Sequence, residues 1–327
     1  MRLTRLLFAC VLLQVFVSVP AFAQSYPVKP IRYVVPFPLG GGNDILAREI
    51  GQHLSVLLGK AVVVENKAGA STIIGTDFVA KAAPDGYTIL MGNNSALAIT
   101  PSLFEKLPYD PLRDFAPVTL LASVPFVILV HPSVPAKSLS ELIELARARP
   151  GQLHFASAGV GISTHLAGEL LKTMAKINIV HIPYKGAGPA LTDTIGGQVQ
   201  MTVTNLVSSI PHMKAGRLRA LAVTGTARSS AMPDLPTVDE AGNLKGYEAS
   251  AWYGIVAPAK TPREIVNRLN AEVNRTLNIV QVRERLNADG ATIFGGTPEE
   301  FGRVMRADIQ KWADVIKQAN IKLEQFE

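Results

Sequence analysis

The sequence predicts an α/β protein of two halves, each a mainly parallel sheet flanked by helices, with a ligand cleft between the halves. Three observations carry this expectation. From Ile31 onward short apolar runs alternate with amphipathic helical ones, the same alternation restarts near Ser138, and a proline-rich stretch with one long β-like run, Val118 to Val130, lies between. Alternation at these lengths implies right-handed crossovers and parallel strands covered on both faces.

In the first half, residues 31–37 (IRYVVPF) form a buried strand, 43–59 a helix ended by Gly59, and 61–66 (AVVVEN) a strand. A helix over 75–83 is stopped by Pro84-Asp85-Gly86, and 87–92 (YTILMG) is a third strand. In the second half, helices over 138–151 (N-capped by Ser138 or Ser140), 163–175, 188–197 and 206–216 alternate with strands over 153–158, 177–184, 199–205 and 218–225. The run from Val118 to Val130 is long enough to belong to both halves as a crossing segment. The final third adds a strand from Ser250 and at least three helices, expected to cover the first half, which has fewer helices of its own. The predicted division is a signal peptide over 1–23, a first lobe of 24–122 plus 228–327, and a second lobe of 123–227.

The first 23 residues have the layout of a cleaved secretory leader: Arg2 and Arg5, an apolar core from Leu6 to Val19, then Ala21-Phe22-Ala23. That core is short for a membrane span of roughly 20 residues. The mature protein is therefore expected to be exported and soluble. Cys10 is the one cysteine and falls within the leader, so the mature chain holds no disulfide and no thiolate metal site. Loss of Arg2 and Arg5 lowers the formal net charge from +6 by two, to +4. Scattered charge of that size does not make the basic patch that nucleic-acid binding requires.

Ligands of open parallel sheets sit beyond the carboxyl ends of strands, where loops enter helix N-termini. Two such loops are glycine-rich. The first, PFPLGGGNDIL, carries Phe37, Leu39, Gly40, Gly41, Asn43 and Asp44; the second, ASAGVGISTHLAGE, carries Ala158, Gly159, Gly161, Ser163, Thr164 and His165. A nucleotide P-loop needs a Lys where Ile162 stands, and a dinucleotide fingerprint needs a third glycine where Thr164 stands. Both nucleotide readings fail, and no cofactor is predicted. What is left is a set of neutral donors at helix starts, suited to a carboxylate. Asn93, Asn94 and Ser95 follow the third strand and suit the same cleft. His165 and Glu169 are four apart, but the six histidines show no metal-ligand spacing, so no metal site is predicted. With no nucleophile elbow and no thiol either, no catalytic residue is assigned and the protein is expected not to be an enzyme.

These residues, in this order, resemble the Bug family of exported solute receptors associated with tripartite tricarboxylate transporters. The likeness is carried by YPVKPIRYVVPFPLGGGNDILAR, VVVENKAGASTIIGTDFVAKAAPDGYTIL, ASAGVGISTHLAGELL, VHIPYKGAGPALTDTIGGQV, LRALAVTGTARSSAMPDLPTVDEAG and WYGIVAPAKTP, and runs through nearly the whole mature chain. It implies a periplasmic binding protein of two lobes that close on a small carboxylate. It also implies that Tyr184, Thr204 and Asn205 join the two loops at the site, and that the partners are permease subunits or a sensor kinase. Two departures bear on specificity. Leu39 and Asn43 stand where relatives carry Pro and a hydroxyl residue, and Thr204 precedes Asn205 where relatives often carry Asp. A neutral residue there disfavours a ligand ammonium group, so a di-, tri- or aromatic carboxylic acid is expected over an amino acid.

Overall fold

The computed structural model describes residues 26–104, 106–288 and 290–318; the signal peptide read over 1–23 lies outside them. Ten strands among these residues form one curled sheet: β1 Ile31–Val35, β2 Val62–Asn66, β3 Thr88–Asn93, β4 Phe115–Val130, β5 His154–Ser157, β6 Val180–Pro183, β7 Met201–Asn205, β8 Arg219–Val223, β9 Ser250–Pro258 and β10 Thr292–Gly295. The order is β2-β1-β3-β9-β4-β7-β5-β6, with β8 and β10 also paired to β4.

The predicted crossing segment is present as β4. Its residues 115–125 pair with β9 and residues 126–130 with β7, so one strand serves both ends of the sheet. Parallel pairing holds where strand and helix alternate, in β1 with β2 and β3 and in β5 with β6 and β7. Every pair that involves β4, and that of β3 with β9, is antiparallel. The sheet is therefore mixed rather than mainly parallel, because strands that return across a shared crossing strand run against it.

Helices cover both faces. Helix α1 (Gly42–Leu58) buries Leu46, Ala47, Ile50, Leu54 and Leu58, mostly three or four residues apart, and ends where Gly59 takes a left-handed φ of 64°. A π-helical turn, Ser95–Ile99, follows β3. Helix α4 (Leu139–Ala148) is capped by Ser138, whose hydroxyl accepts from the Glu141 N–H. Between them come α2 (Ile73–Ala80) and the short α3 (Thr100–Leu103); beyond come α5 (Ser163–Ala175), α6 (Ala187–Ile195), α7 (Leu206–Lys214) and α8 (Val238–Gly242). Three C-terminal helices follow, α9 (Arg263–Leu277), α10 (Val280–Ala288) and α11 (Pro298–Gln318).

The C-terminal helices return to the first half, as the sequence leads one to expect. Helix α11 buries Phe301, Met305, Trp312 and Ile316 in one cluster with Val34, Leu90 and Val256, each side chain contributing about 2–3 kcal/mol of hydrophobic burial. Residues 237–247 pack on the other half. Thr237 bridges Val223, the Ser140 hydroxyl donates to the Ala241 carbonyl, and the Tyr247 hydroxyl donates to the Ala167 carbonyl. A boundary drawn at residue 228 leaves this segment with the first lobe, whereas Thr237, Ala241 and Tyr247 touch β8, α4 and α5; the residues that flank it reach the C-terminal helices, Ser230 donating to the Asn287 carbonyl and Glu248 pairing with Lys311.

Candidate functional site

The start of α1 has no side-chain cap, which leaves helix N–H groups for another partner. Its three glycines differ in what they require. Gly40 has φ +81°, a backbone that L side chains rarely adopt. Gly41 has an ordinary φ of −83° and open space around it. At Gly42 a Cβ would lie 2.6 Å from Asn205 Nδ2 and 3.2 Å from Tyr253 Oη, so only glycine lets β7 and β9 approach the helix start. Asp44 holds the loop from beneath. Its oxygens accept from the Gly40 N–H at 3.0 Å and Asn66 Nδ2 at 3.0 Å, and pair with Arg48 at 2.9 Å. Burial pushes the Asp44 carboxyl up, but hydrogen bonds from Arg48, Gly40 and Asn66 outweigh it and hold the group below its ordinary range.

The start of α5 receives no cap from its own N-cap residue, Ile162. Gly159 and Gly161, at φ +148° and +71°, turn the chain from β5 into the helix. Here imidazoles replace the carboxylate. His165 Nδ1 accepts from the Gly161 N–H at 3.1 Å, and His165 stacks on His181 with ring centroids 3.9 Å apart. His181 Nε2 is 2.7 Å from Ser157 Oγ, which in turn accepts from the Gly159 N–H. Burial lowers both pKa values, to about 4 for His165 and about 3 for His181, with Lys172 adding to the shift and the His165 ring adding to that of His181. Both rings are thus neutral at pH 7, as Nδ1 of His165 must be to accept a hydrogen bond.

The two helix starts meet. The Ser163 N–H, first of α5, donates to Ser95 Oγ at 3.0 Å, and the two hydroxyls lie 3.0 Å apart. The Ser71 hydroxyl donates to the Val160 carbonyl alongside. Asn93 links the other side, donating to Asn43 Oδ1 and accepting from the Ala96 N–H.

A cavity lies between these loops. Of the residues singled out in sequence, Phe37, Leu39, Gly41, Asn43, Asn93, Ser95, Ala158, Ser163, Thr164 and Asn205 line it. Gly40, Asp44, Gly159, Gly161 and His165 do not; they shape the two loops from behind. Asn94 ties the crossing region, its Nδ2 donating to the Ser250 carbonyl. The Tyr184 hydroxyl is engaged by Asp193 at 2.8 Å, and Thr204 is buried outside the lining with its hydroxyl unpartnered. Pro38, Gly42, Ile162, Ala187, Ala251 and Tyr253 complete the wall. Gly42 and Ile162 lie inside the glycine-rich stretches, but Ala251 and Tyr253 come from a strand with no local motif. None of the described lining residues carries a formal charge. The charged neighbours are occupied elsewhere: Glu169 beside His165 pairs with Lys172 at 2.7 Å. Among the described residues no group of three or more His, Cys, Asp or Glu forms a metal-holding cluster.

A curled mixed sheet with helices on both faces and a cavity between opposed helix starts is the architecture of the periplasmic binding proteins. The chain matches the tripartite tricarboxylate transporter family receptor over residues 46–321 and belongs to that family. BugT of Bordetella pertussis is 40% identical over 311 residues, 94% of each chain. The structure of Rhodopseudomonas palustris Rpa4515 with adipate superposes with a TM-score of 0.88 at 39% identity, covering 91% of this chain and 99% of that one. MatC from the same organism, with bound malate, gives a TM-score of 0.84 at 35% identity, covering 89% and 100%.

Proposed function

We infer that this chain is a periplasmic receptor that binds a small carboxylic acid, a di-, tri- or aromatic acid rather than an amino acid, for uptake or sensing. The observation that carries the reading is the pair of glycine-rich helix starts, α1 and α5, whose first residues line one cavity with no charged lining residue. Helix dipoles contribute about 0.3–1 kcal/mol each when exposed and up to about 2 when partly buried, so hydrogen bonds from backbone N–H groups and hydroxyls supply most of the affinity for an anion. The adipate and malate held by family relatives support the carboxylate class.

The same reading makes the protein a binder, not a catalyst: the Ser163 hydroxyl is paired with another hydroxyl, and His165 and His181 are engaged with the loop backbone and Ser157. Two lobes open and close about β4 near Pro125, the second crossing lying between Thr224 and Ser250. The leader over residues 1–23 directs export, and the closed receptor engages either permease subunits of a tripartite transporter or a sensor kinase.

Thermal unfolding of the mature protein with a panel of mono-, di- and tricarboxylates tests this. A ligand that binds only the folded state stabilises it by about 2.7 kcal/mol at a hundred times its Kd, so the midpoint should rise with ligand concentration. Gly161→Val, which strains the φ +71° position, should lose that response while circular dichroism still shows a folded protein. A wild-type protein indifferent to every carboxylate overturns the reading.

A further inference from the structure

Resting on the carboxylate reading above, we propose that Asn205 determines specificity and that the preferred ligand is a hydroxylated carboxylic acid, its hydroxyl paired with the Asn205 amide. Asn205 ends β7, lines the cavity, and is 8% exposed. Its Oδ1 is buried with no hydrogen-bond partner. An orphaned acceptor of this kind is destabilising unless something entering the site satisfies it.

The amide is held in place by its surroundings. Its nitrogen lies against Gly42, where a Cβ would come within 2.6 Å of it, and its amide hydrogen-bonds the Tyr253 hydroxyl. The backbone of Asn205 is fixed in register with Phe126 of β4, and its carbonyl accepts from the Ser208 and Ser209 hydroxyls. The amide thus leaves one polar end unpaired in a residue of the cavity wall.

A hydroxyl suits that end in either orientation of the amide, because it both donates and accepts. An ammonium pairs only with the oxygen, and the cavity supplies no carboxylate to balance its charge. Asp44, the nearest acid in the glycine loop, has its oxygens occupied by Gly40, Asn66 and Arg48. Thr204, the neighbour of Asn205 on β7, is neutral. An acid with only methylene groups at this point leaves Asn205 unsatisfied.

Isothermal titration with matched acids tests the assignment. Succinate, malate and aspartate share one chain and differ at a single substituent; tricarballylate and citrate form a second pair. One satisfied buried hydrogen bond corresponds to about a tenfold change in Kd, so each hydroxy acid should bind about tenfold tighter than its unsubstituted partner, with aspartate weakest. In Asn205→Leu that ratio should fall to near one. Should the leucine variant not fold, Asn205→Asp, of nearly the same shape, should invert the order and favour aspartate. Equal affinity of hydroxy and unsubstituted acids in the wild type overturns the proposal, as does a ratio unchanged in Asn205→Leu or an order unchanged in Asn205→Asp. Those results leave carboxylate binding itself intact; binding of no acid in either set would instead remove the reading beneath it.

Discussion

The loop before α1 and the loop before α5 perform the same task with different chemistry. Both turn a strand into a helix whose first residues line one cavity, and both do so with glycines at positive φ. The first is held from behind by an ionised carboxylate, Asp44, bonded to Gly40 and Asn66 and paired with Arg48. The second is held by neutral imidazoles, His165 on Gly161 and His181 on Ser157. A helix start can therefore be left free for an anion only if its loop finds another anchor, and the anchor's ionisation sets the conditions under which the site survives.

The largest effect should come from removing the charged anchor. Asp44→Ala leaves the Gly40 N–H and Asn66 without their acceptor, while half-exposed Arg48 turns to water, a loss of about 2 kcal/mol by the usual cost of unpaired buried donors. Urea unfolding checks this, and a loss under about 1 kcal/mol, the scale of an exposed ion pair, would mean that the glycine loop stands without its carboxylate.

Acid should separate the loops next. The folded pKa values of His165 and His181 lie below the ordinary 6.5, at about 4 and about 3, so the unfolded chain binds protons that the folded one does not. Their contribution to stability is full above pH 6.5 and is lost as pH falls toward 4 and then 3, at up to about 1.4 kcal/mol per pH unit for each ring. Asp44, also depressed, begins to lose its contribution only near the ordinary carboxylate range. Stability measured from about pH 7 to about pH 4 should therefore decline, and His165→Asn, which keeps an acceptor for Gly161 but does not titrate, should flatten the slope. An unchanged slope would refute the imidazole anchor.

The smallest effect is expected at Gly41. Its φ is −83° and the space a Cβ would enter holds no atom within 4 Å. Gly41→Ala should therefore leave ligand affinity and stability within about 0.5 kcal/mol of wild type, as unconstrained surface changes do. A large loss there would show that all three glycines are needed for conformation and not only Gly40 and Gly42.

Much of this arrangement is legible in the residues because the signals are local. Gly59 stops α1 where it stands, Ser138 caps α4, and the β-like run from Val118 is a strand shared by both ends of the sheet. The two glycine loops face one cavity, as the alternation of strands and helices implies. What sequence did not reveal depends on long-range placement. Tyr253 and Ala251 reach the wall because β9 is inserted between β3 and β4, and nothing in SAWYGIVAP marks that destination. Asp44 and His165 look like ligand groups by type and position, yet their hydrogen bonds go to the loops that carry them. Periodicity also cannot show that the chain folds back on β8 at Thr237 before it returns to β9.

That late return has a kinetic consequence. Strand β9 closes β3 on one side and β4 on the other, and α11 supplies Phe301, Met305 and Trp312 to the core of the first half. A chain emerging N-terminus first therefore makes β1, β2 and β3 long before the strand and helix that finish them. Until residue 258 arrives, β3 has an unpaired edge of the kind that recruits other strands. The second half, whose strands β5 to β8 are contiguous in sequence, carries no such delay: it can complete its pairing while the first half is still waiting, and the interval of greatest aggregation risk belongs to the end of the molecule that is synthesised first.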